Sequence, residues 1–387
     1  MAMRPIFALR DFLRKEGSSG ILLIFATAVG IFLANSPIKD SFKKILAAGF
    51  KIDTNYFYLS LTVTKFINYL LMSLFFLVVG MEIKRELISG HLASIRKALA
   101  PFIAAFGGML IPALIYLLVV RGEGSHGWAI PVATDIALAL GVLALMGDRV
   151  SFAMKAFILA LAVIDDIGAI TIIALFYSKD LSIIWLASGL VTALFLTIFF
   201  RFGYRSKIII VLGSLFLWYC FYRSGIHPTL AGVLLGFAAP QSEKVESKLH
   251  TWSSFVIVPI FALANAGVEI TGNSISAALE SNIALGIFLG LVLGKPIGII
   301  LFTKIGSLLG ISDPPQSNGR FSLVAAGSAA GIGFTVAIFI SKLAFKDQQT
   351  QDLATTAVIA ASLLSALLSM VLNRTNRVLI DEREVDI

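Results

Sequence analysis

The stretch that decides the fold is residues 157–176, which read Phe-Ile-Leu-Ala-Leu-Ala-Val-Ile-Asp-Asp-Ile-Gly-Ala-Ile-Thr-Ile-Ile-Ala-Leu-Phe. About twenty apolar residues are enough for one helix to cross the hydrocarbon core of a bilayer. Two adjacent carboxylates, Asp165 and Asp166, lie near the middle of this run, where an ionised side chain costs several kcal/mol or more. The pair therefore needs protons, water or partners. The stretch predicts a transmembrane helix with a functional site at its centre.

The composition extends this prediction to the whole chain. Hydrophobic residues make up 58% of the sequence and charged residues 14%, and the mean hydropathy is +0.91, whereas soluble domains carry about 25% charged residues. The sequence thus predicts one integral membrane domain, residues 1–387, embedded in a lipid bilayer. The net charge of +8 is attributed to basic cytoplasmic loops and not to nucleic acid. A single cysteine, Cys220, excludes a disulfide framework, and the four dispersed histidines predict no cofactor.

Apolar stretches recur along the chain and predict an all-α polytopic fold of about twelve transmembrane helices. The segment 225–239 is notably short for a span. The twelve stretches are residues 20–34, 68–83, 99–120, 127–147, 154–177, 181–200, 207–222, 225–239, 252–267, 283–303, 321–344 and 353–372.

The distribution of lysine and arginine predicts the orientation. Most of the 31 basic residues fall on the side that carries both termini if the chain crosses the membrane an even number of times. Residues 1–19 and the tail 373–387 are therefore predicted to be cytoplasmic. The basic, loosely amphipathic segment 1–19 favours a helix on the membrane surface. A cleavable signal peptide is the alternative, but no convincing cleavage site follows.

The longest polar connection, residues 36–64, is predicted to be periplasmic. Within it, residues 50–63 are rich in β-branched and aromatic side chains on either side of a turn-forming Asp53-Thr-Asn55, which predicts a β-hairpin. An isolated hairpin has unpaired edges. Pairing with a second copy of the chain is expected, and folding back onto its own subunit is the alternative.

Two spans carry helix-breaking signals. The fourth contains Pro131 shortly before Thr134 and Asp135, and the eleventh contains Gly331 and Gly333. Broken helices are tolerated at membrane depth where they line a cavity or contact protein. For the eleventh span, close helix packing through small residues remains open. Spans 3–5 and 10–12 correspond as triplets of opposite orientation, which predicts inverted repeats with an ion site where they meet.

One further charge, Lys295, lies in the middle of the tenth span within Gly294-Lys-Pro296. The surrounding residues do not form a phosphate-binding loop, which would require Ser or Thr after the lysine. A lysine at this depth is expected to pair with a carboxylate, although a side chain reaching to the surface is the alternative. Consecutive helical residues point about 100° apart, so only one of the paired aspartates should face Lys295. The pattern alone leaves open which one.

Several segments together resemble the NhaA-type sodium–proton antiporters of bacteria. The similarity covers about residues 18–372 in the same order and spacing. The segments that carry it are Ala129-Ile-Pro-Val-Ala-Thr-Asp-Ile-Ala-Leu-Ala-Leu-Gly141, Ala162-Val-Ile-Asp-Asp-Ile-Gly-Ala169, Gly294-Lys-Pro-Ile-Gly298, Gly80-Met-Glu-Ile-Lys-Arg-Glu-Leu87 and Gly225-Ile-His-Pro-Thr-Leu-Ala-Gly232.

The resemblance implies a role for each matching residue. Asp165 and Asp166 would bind sodium or lithium in exchange for protons, and Lys295 would pair with the first of them. Asp135, with Thr134, would lie where the two broken helices cross. A third set is similar to residues linked to pH regulation, although ordinary loop charge is the alternative for most of it: Glu82, Arg85, Glu86, His227, Glu246 and His250.

The resemblance also implies a homodimer in the bacterial inner membrane. Tyr69, Ser247 and Pro228 depart from the family pattern, which leaves the pH profile open. Oxygen ligands suit sodium, and protons would compete with it for the carboxylates. Together with the resemblance, this chemistry predicts a pH-regulated, electrogenic sodium–proton antiporter and not an enzyme. The alternatives are a sodium-coupled solute symporter, a magnesium-dependent prenyl transferase and a passive channel.

Overall fold

The computed structural model describes residues 3–54, 58–146, 150–178, 180–204, 206–313, 315 and 322–375. The described part is mostly helical, with one two-stranded sheet. Its α-helices are α1 (Met3–Ala34), α2 (Lys39–Ala47), α3 (Val63–Lys65), α4 (Met72–Ser89), α5 (Ile95–Val119), α6 (Ile136–Leu145), α7 (Phe152–Phe176), α8 (Ile183–Arg201), α9 (Lys207–Ser224), α10 (Thr229–Ala238), α11 (Glu243–Trp252), α12 (Val258–Asn265), α13 (Gly272–Glu280), α14 (Asn282–Leu289), α15 (Lys295–Leu308), α16 (Ser322–Ala330), α17 (Phe334–Ala344) and α18 (Gln348–Thr375).

Shorter helical forms join or extend several of these helices. The π-helical segments Phe66–Leu71, Ser253–Ile257 and Gly290–Gly294 connect α3 to α4, α11 to α12 and α14 to α15. A 3₁₀-helix of eleven residues, Gly122–Val132, precedes α6. A second, short one covers His91–Ala93.

The polytopic membrane character is confirmed. Eight helices in the described residues are long and apolar enough to cross a membrane, and up to ten spans result if each of two bent helix pairs counts as one. The number twelve is not confirmed. The region 225–239 contains only the ten-residue α10, and the region 252–267 is divided between the π-helical segment and the eight-residue α12.

Both predicted helix breaks are present. The 3₁₀-helix and α6 are bent by 47°, and α16 and α17 by 41°. The first break falls at residues 133–135, just after Pro131, which is still helical. The breaks contact each other, because the backbone N–H of Asp135 donates to the carbonyl of Ile332 at 2.6 Å. At Gly331 a side chain would come within 2.5 Å of the Leu291 carbonyl oxygen, so the second break also requires a small residue for close packing.

Helix packing brings the charged residues together around this crossing. The helix α5 packs against both α7, which carries Asp165 and Asp166, and α15, which begins at Lys295. The helix α16 packs against α15, α18, α6 and α7. The paired aspartates, the lysine and both breaks therefore meet in the interior of the helix assembly.

The predicted hairpin is confirmed. Strands β1 (Gly49–Asp53) and β2 (Tyr58–Thr62) pair in antiparallel register, and the turn residues 55–57 lie outside the described part. The polar connection also contains an element that the sequence did not predict, the nine-residue amphipathic helix α2, none of whose residues is buried.

Candidate cation-binding site

The centre of the site is an ion pair between Lys295 and Asp165. The lysine Nζ lies 2.5 Å from Asp165 Oδ2, and both side chains are 0% exposed. The prediction that the buried lysine pairs with one member of the aspartate pair agrees with this geometry. The second oxygen, Asp165 Oδ1, is also buried and accepts no hydrogen bond from any described residue. One carboxylate oxygen is thus satisfied by the lysine, and the other is left without a hydrogen bond from the described residues.

Thr134 connects this ion pair to both helix breaks. Its Oγ1 lies 2.8 Å from Asp165 Oδ2, 2.9 Å from the Ala330 carbonyl and 2.8 Å from Lys295 Nζ, which donates to it. A hydroxyl has a single proton and can donate to only one of these acceptors at a time. Because Asp165 Oδ2 already accepts a hydrogen bond from Lys295, we assign the Thr134 hydroxyl proton to the hydrogen bond with the Ala330 carbonyl at the end of α16.

Asp135 also lies at the crossing and caps two helices. Its Oδ1 accepts from the backbone N–H of Leu138 at 3.1 Å, which makes it the N-cap of α6. Its Oδ2 accepts from the backbone N–H of Thr335 at 3.0 Å and from the Thr335 hydroxyl at 2.5 Å, at the start of α17. A carboxylate at two helix N-termini compensates the partial positive charge of both. These contacts use much of the hydrogen-bonding capacity of Asp135.

Asp166 lies in different surroundings from its neighbour. It is 6% exposed, and among the described residues its carboxyl group makes no hydrogen bond or ion pair. It lines a cavity of about 50 Å³, enough for a few water molecules. Thr134, Asp135, Thr335 and Glu82 line the same cavity. Of the two paired aspartates, Asp166 is thus the one that lines the cavity.

The far end of this cavity carries most of the residues proposed for pH regulation. The cavity is lined there by Glu82 and His250, whose Oε1 and Nε2 lie 3.4 Å apart. Next to them, Arg85 donates to Glu246, which is 6% exposed. Burial raises the pKa of Glu246 above its ordinary value, and the nearby Arg85 partly offsets that rise.

The two remaining candidates are Glu86 and His227. Glu86 is buried one helical turn beyond Glu82 on α4. His227 packs edge-on against Tyr69 and Phe339, with ring centroids 5.0 and 5.1 Å away, and its Nδ1 lies 2.8 Å from Thr229 Oγ1. Among the described residues, the contacts of His227 do not reach Glu82, although Tyr69, a departure from the family pattern, is its direct neighbour.

Sequence reasoning missed one residue of the site, Thr335. Its hydroxyl and its N–H both contact Asp135. A signal was present, since Thr335 follows the Gly331-Ile-Gly333 break much as Thr134 adjoins the break after Pro131. The interpretation of that segment considered only its glycines.

These observations define a class of protein. Two broken helices cross in the interior of a polytopic membrane protein, and three acids and one lysine are buried around the crossing. This is the construction of secondary, ion-coupled transporters, in which interrupted helices provide charged ends at the substrate site.

Comparison with known sequences identifies the family. The sequence model described as "Na+/H+ antiporter 1" matches residues 10–372, and the chain belongs to this family. It is 43% identical over 373 residues to the Na(+)/H(+) antiporter NhaA of Shewanella frigidimarina (strain NCIMB 400), covering 93% of this chain and 94% of the relative.

Two further relatives give the same result. The Na(+)/H(+) antiporter NhaA of Proteus mirabilis (strain HI4320) is 45% identical over 349 residues, with 87% of this chain and 88% of the relative covered. The Na(+)/H(+) antiporter NhaA 2 of Erythrobacter litoralis (strain HTCC2594) is 42% identical over 373 residues, with 94% and 92% covered. The chain is thus a multi-pass bacterial membrane protein.

Proposed function

We propose that this chain is an electrogenic antiporter that extrudes Na⁺, or Li⁺, from the cytoplasm in exchange for protons entering across the bacterial inner membrane. The observation that carries the proposal is the different environment of two adjacent buried acids. Asp165 is held by Lys295, whereas Asp166 faces the cavity without a partner among the described residues. The family membership supports the same substrates.

Exchange follows from competition at these two carboxylates. A hard cation prefers oxygen ligands, and Asp166, Asp165 Oδ1 and Thr134 Oγ1 offer three of them. Bound Na⁺ stabilises the ionised carboxylates, and protons neutralise them. The same site therefore holds either the cation or protons, and alternating exposure of the site to the two sides of the membrane couples their movements.

The charges of the site account for electrogenic exchange. Protons that occupy the site neutralise its carboxylates, and Na⁺ bound between the two carboxylates displaces those protons. With two acids at one site, more than one proton can leave for each Na⁺ bound, and such an exchange moves net charge across the membrane.

The experiment that tests this function uses everted membrane vesicles with a preset pH gradient. Addition of Na⁺ should dissipate the gradient, and the dissipation should become faster when a permeant ion removes the membrane potential that electrogenic exchange builds up. A gradient that Na⁺ leaves intact at every pH between 6 and 9 would contradict the proposed function.

We further propose that Glu82, Arg85, Glu246 and His250 regulate access to the cavity, with Glu86 and His227 as additional members of the response. The contacts of the first four support this, because Glu82 and His250 line the cavity that also contains Asp166, and Arg85 and Glu246 form an ion pair beside them. Protonation of Glu246 would remove the charge that holds Arg85. A local charge change of this kind can shift a conformational equilibrium.

Glu246→Gln is expected to move the pH profile of exchange to higher pH while the maximal rate at the new optimum survives. Glutamine cannot ionise, so residue 246 stays neutral at every pH. In the parent, the raised pKa of Glu246 increases the fraction of the neutral form at low pH. Exchange rates in vesicles, scanned over pH, measure the shift. Glu243→Gln is the matched control, because Glu243 is exposed on the same helix. If the parent and the Glu246 variant had identical pH profiles of exchange, Glu246 would be an ordinary loop charge without a role in pH regulation.

We also propose twelve crossings with both termini cytoplasmic, and inverted repeats formed by spans 3–5 and 10–12. The two bent pairs support the repeats, since they contain the middle helices of the two triplets. The short helices α10 and α12, the latter extended by its π-helical segment, would supply the two missing crossings. This arrangement places the hairpin in the periplasm and the Glu82 end of the cavity on the cytoplasmic side.

The hairpin supports a homodimer formed through β1. The β2 edge is covered by its own subunit, because Tyr222 Oη accepts from Ser60 N–H at 3.2 Å and Tyr219 Oη accepts from Tyr58 N–H at 3.1 Å. Lys51 lies opposite Ser60. In an antiparallel pair, the backbone N–H and C=O groups of two directly opposed residues point either towards each other or both away, and the Ser60 N–H points away from β1, to Tyr222. The N–H and C=O of Lys51 therefore point outward, along a strand exposed at every residue. A second copy can pair there through a two-fold axis.

Deletion of residues 50–60 is expected to convert the dimer to a monomer in mild detergent, with ion exchange largely kept because the charged site lies elsewhere. Lys51→Pro should do the same by removing one outward N–H that the hairpin itself does not use. Lys51→Ala, which keeps the N–H, is the control and should stay dimeric. Native mass measurement reports the state. A dimeric deletion variant would place the interface elsewhere.

A further inference from the structure

The first half of the broken fourth span has an unusual conformation. Residues Gly122–Val132 form a 3₁₀-helix of eleven residues, whereas runs of this helix longer than three or four residues are uncommon. The first half of the other broken span, α16, is α-helical. A contact that is specific to residues 122–132 must therefore favour the 3₁₀-helix, which rises further per residue than an α-helix.

Two tyrosine hydroxyls hold the far end of this 3₁₀-helix. Tyr116, on α5, donates to the Gly124 carbonyl at 2.7 Å, and Tyr177, directly after α7, donates to the His126 carbonyl at 2.7 Å. Tyr116 is 0% exposed. A side chain at Gly127 would come within 2.3 Å of its hydroxyl oxygen, so the chain provides the space that this contact requires.

The other end of the 3₁₀-helix leads directly into the ion site. After Val132 the chain is extended at Ala133 and at Asp135, and Thr134 contacts Asp165 and Lys295. Pro131, near this end, disfavours an α-helix because its ring would clash with the carbonyl four residues earlier. The segment is therefore fixed by hydrogen bonds at both ends.

The length of the segment matters because it runs alongside α7 between these two ends. From Asp165 to Tyr177 the helix α7 spans about 18 Å. The backbone from His126 to Thr134 spans about 18–19 Å, because six residue-to-residue steps rise about 2.0 Å each in a 3₁₀-helix and the last two rise about 3.3 Å each in extended chain. With α-helical steps it would span only about 15–16 Å. That shortfall of about 3 Å exceeds what a hydrogen bond at Thr134 tolerates.

We propose that Tyr116 and Tyr177 are positioning residues for ion exchange: their hydroxyls hold Gly122–Val132 in the 3₁₀ form, and this form places the Thr134 hydroxyl at Asp165. The inference rests on the proposed ion site. The two tyrosines lie far from the site and act on sodium binding only through Thr134.

A double-mutant cycle between the tyrosines and Thr134 tests this inference. Tyr116→Phe and Tyr177→Phe should each raise the apparent KM for Na⁺ about two- to tenfold, the range expected for one hydrogen bond, with a smaller change in the maximal rate. In a Thr134→Val background the same substitutions should have no further effect on KM, because the hydroxyl they position is gone.

The control is Tyr222→Phe, which removes a hydroxyl that bonds the hairpin and should leave KM unchanged. Additive effects of Tyr116→Phe and Thr134→Val would overturn the inference, since a merely structural role does not depend on Thr134. So would unchanged KM values in both tyrosine variants. A parent chain without Na⁺-dependent proton movement would instead contradict the proposed function, so the two failures are distinguishable.

Discussion

Asp166→Asn is expected to abolish Na⁺-dependent proton movement completely, while the protein stays folded in the membrane. The reason is the isolation of this acid: it lines the cavity and has no hydrogen-bond or ion-pair partner among the described residues. Asparagine can neither carry a proton nor neutralise a cation, so both substrates lose the same group. Everted vesicles measure the loss, and the amount of protein in the membrane confirms folding.

A nearby acid outside the site provides the control for this variant. Glu243→Gln also removes one carboxylate from the chain, but at an exposed position on α11, and exchange should survive at its optimum. Vesicles of the Asp166 variant that still dissipate a pH gradient on addition of sodium would remove Asp166 from the transport step.

Asp165→Asn is expected to lower the melting temperature in detergent as well as activity. It removes the only carboxylate that contacts Lys295 among the described residues and leaves a fully buried ammonium group with Thr134 alone. Removing one partner of a buried ion pair costs about 3–5 kcal/mol. Asp166→Asn is the matched comparison, because it neutralises the neighbouring acid without breaking a pair and should melt close to the parent.

The double variant Asp165→Asn/Lys295→Gln separates the effect of the unpaired charge from other effects. Asparagine and glutamine are both uncharged, so the double variant leaves no unpaired charge buried, and stability should recover towards that of the parent while transport does not. If Asp165→Asn melts at the same temperature as the parent, the two side chains do not form a stabilising pair.

The sequence predicted the parts of the site that conflict with an apolar environment. Charges such as Asp165, Asp166 and Lys295 stand out because a lipid-facing position cannot accommodate them. Helix breakers such as Pro131 and Gly331 stand out for a similar reason, since a break exposes backbone groups. From these signals alone, the convergence of four ionisable side chains at two broken helices could be predicted.

Features that depend on distances between elements could not be predicted. Whether residues 122–132 form an α-helix or a 3₁₀-helix depends on how far Tyr177 lies from Asp165, and neither helix has a distinct sequence pattern. The double cap made by Asp135 required knowing that Thr335 begins a helix at the same point. The count of twelve spans stays a prediction for a related reason, because α10 is shorter than its apolar stretch.

The most direct test of the account is the pH dependence of ²²Na⁺ binding to the purified protein. Competition at Asp165 and Asp166 predicts that the Kd rises roughly tenfold per pH unit of acidification for each proton that sodium displaces. It further predicts that Asp166→Asn removes this dependence together with the binding. A Kd that is independent of pH would contradict the claim that sodium and protons share one site.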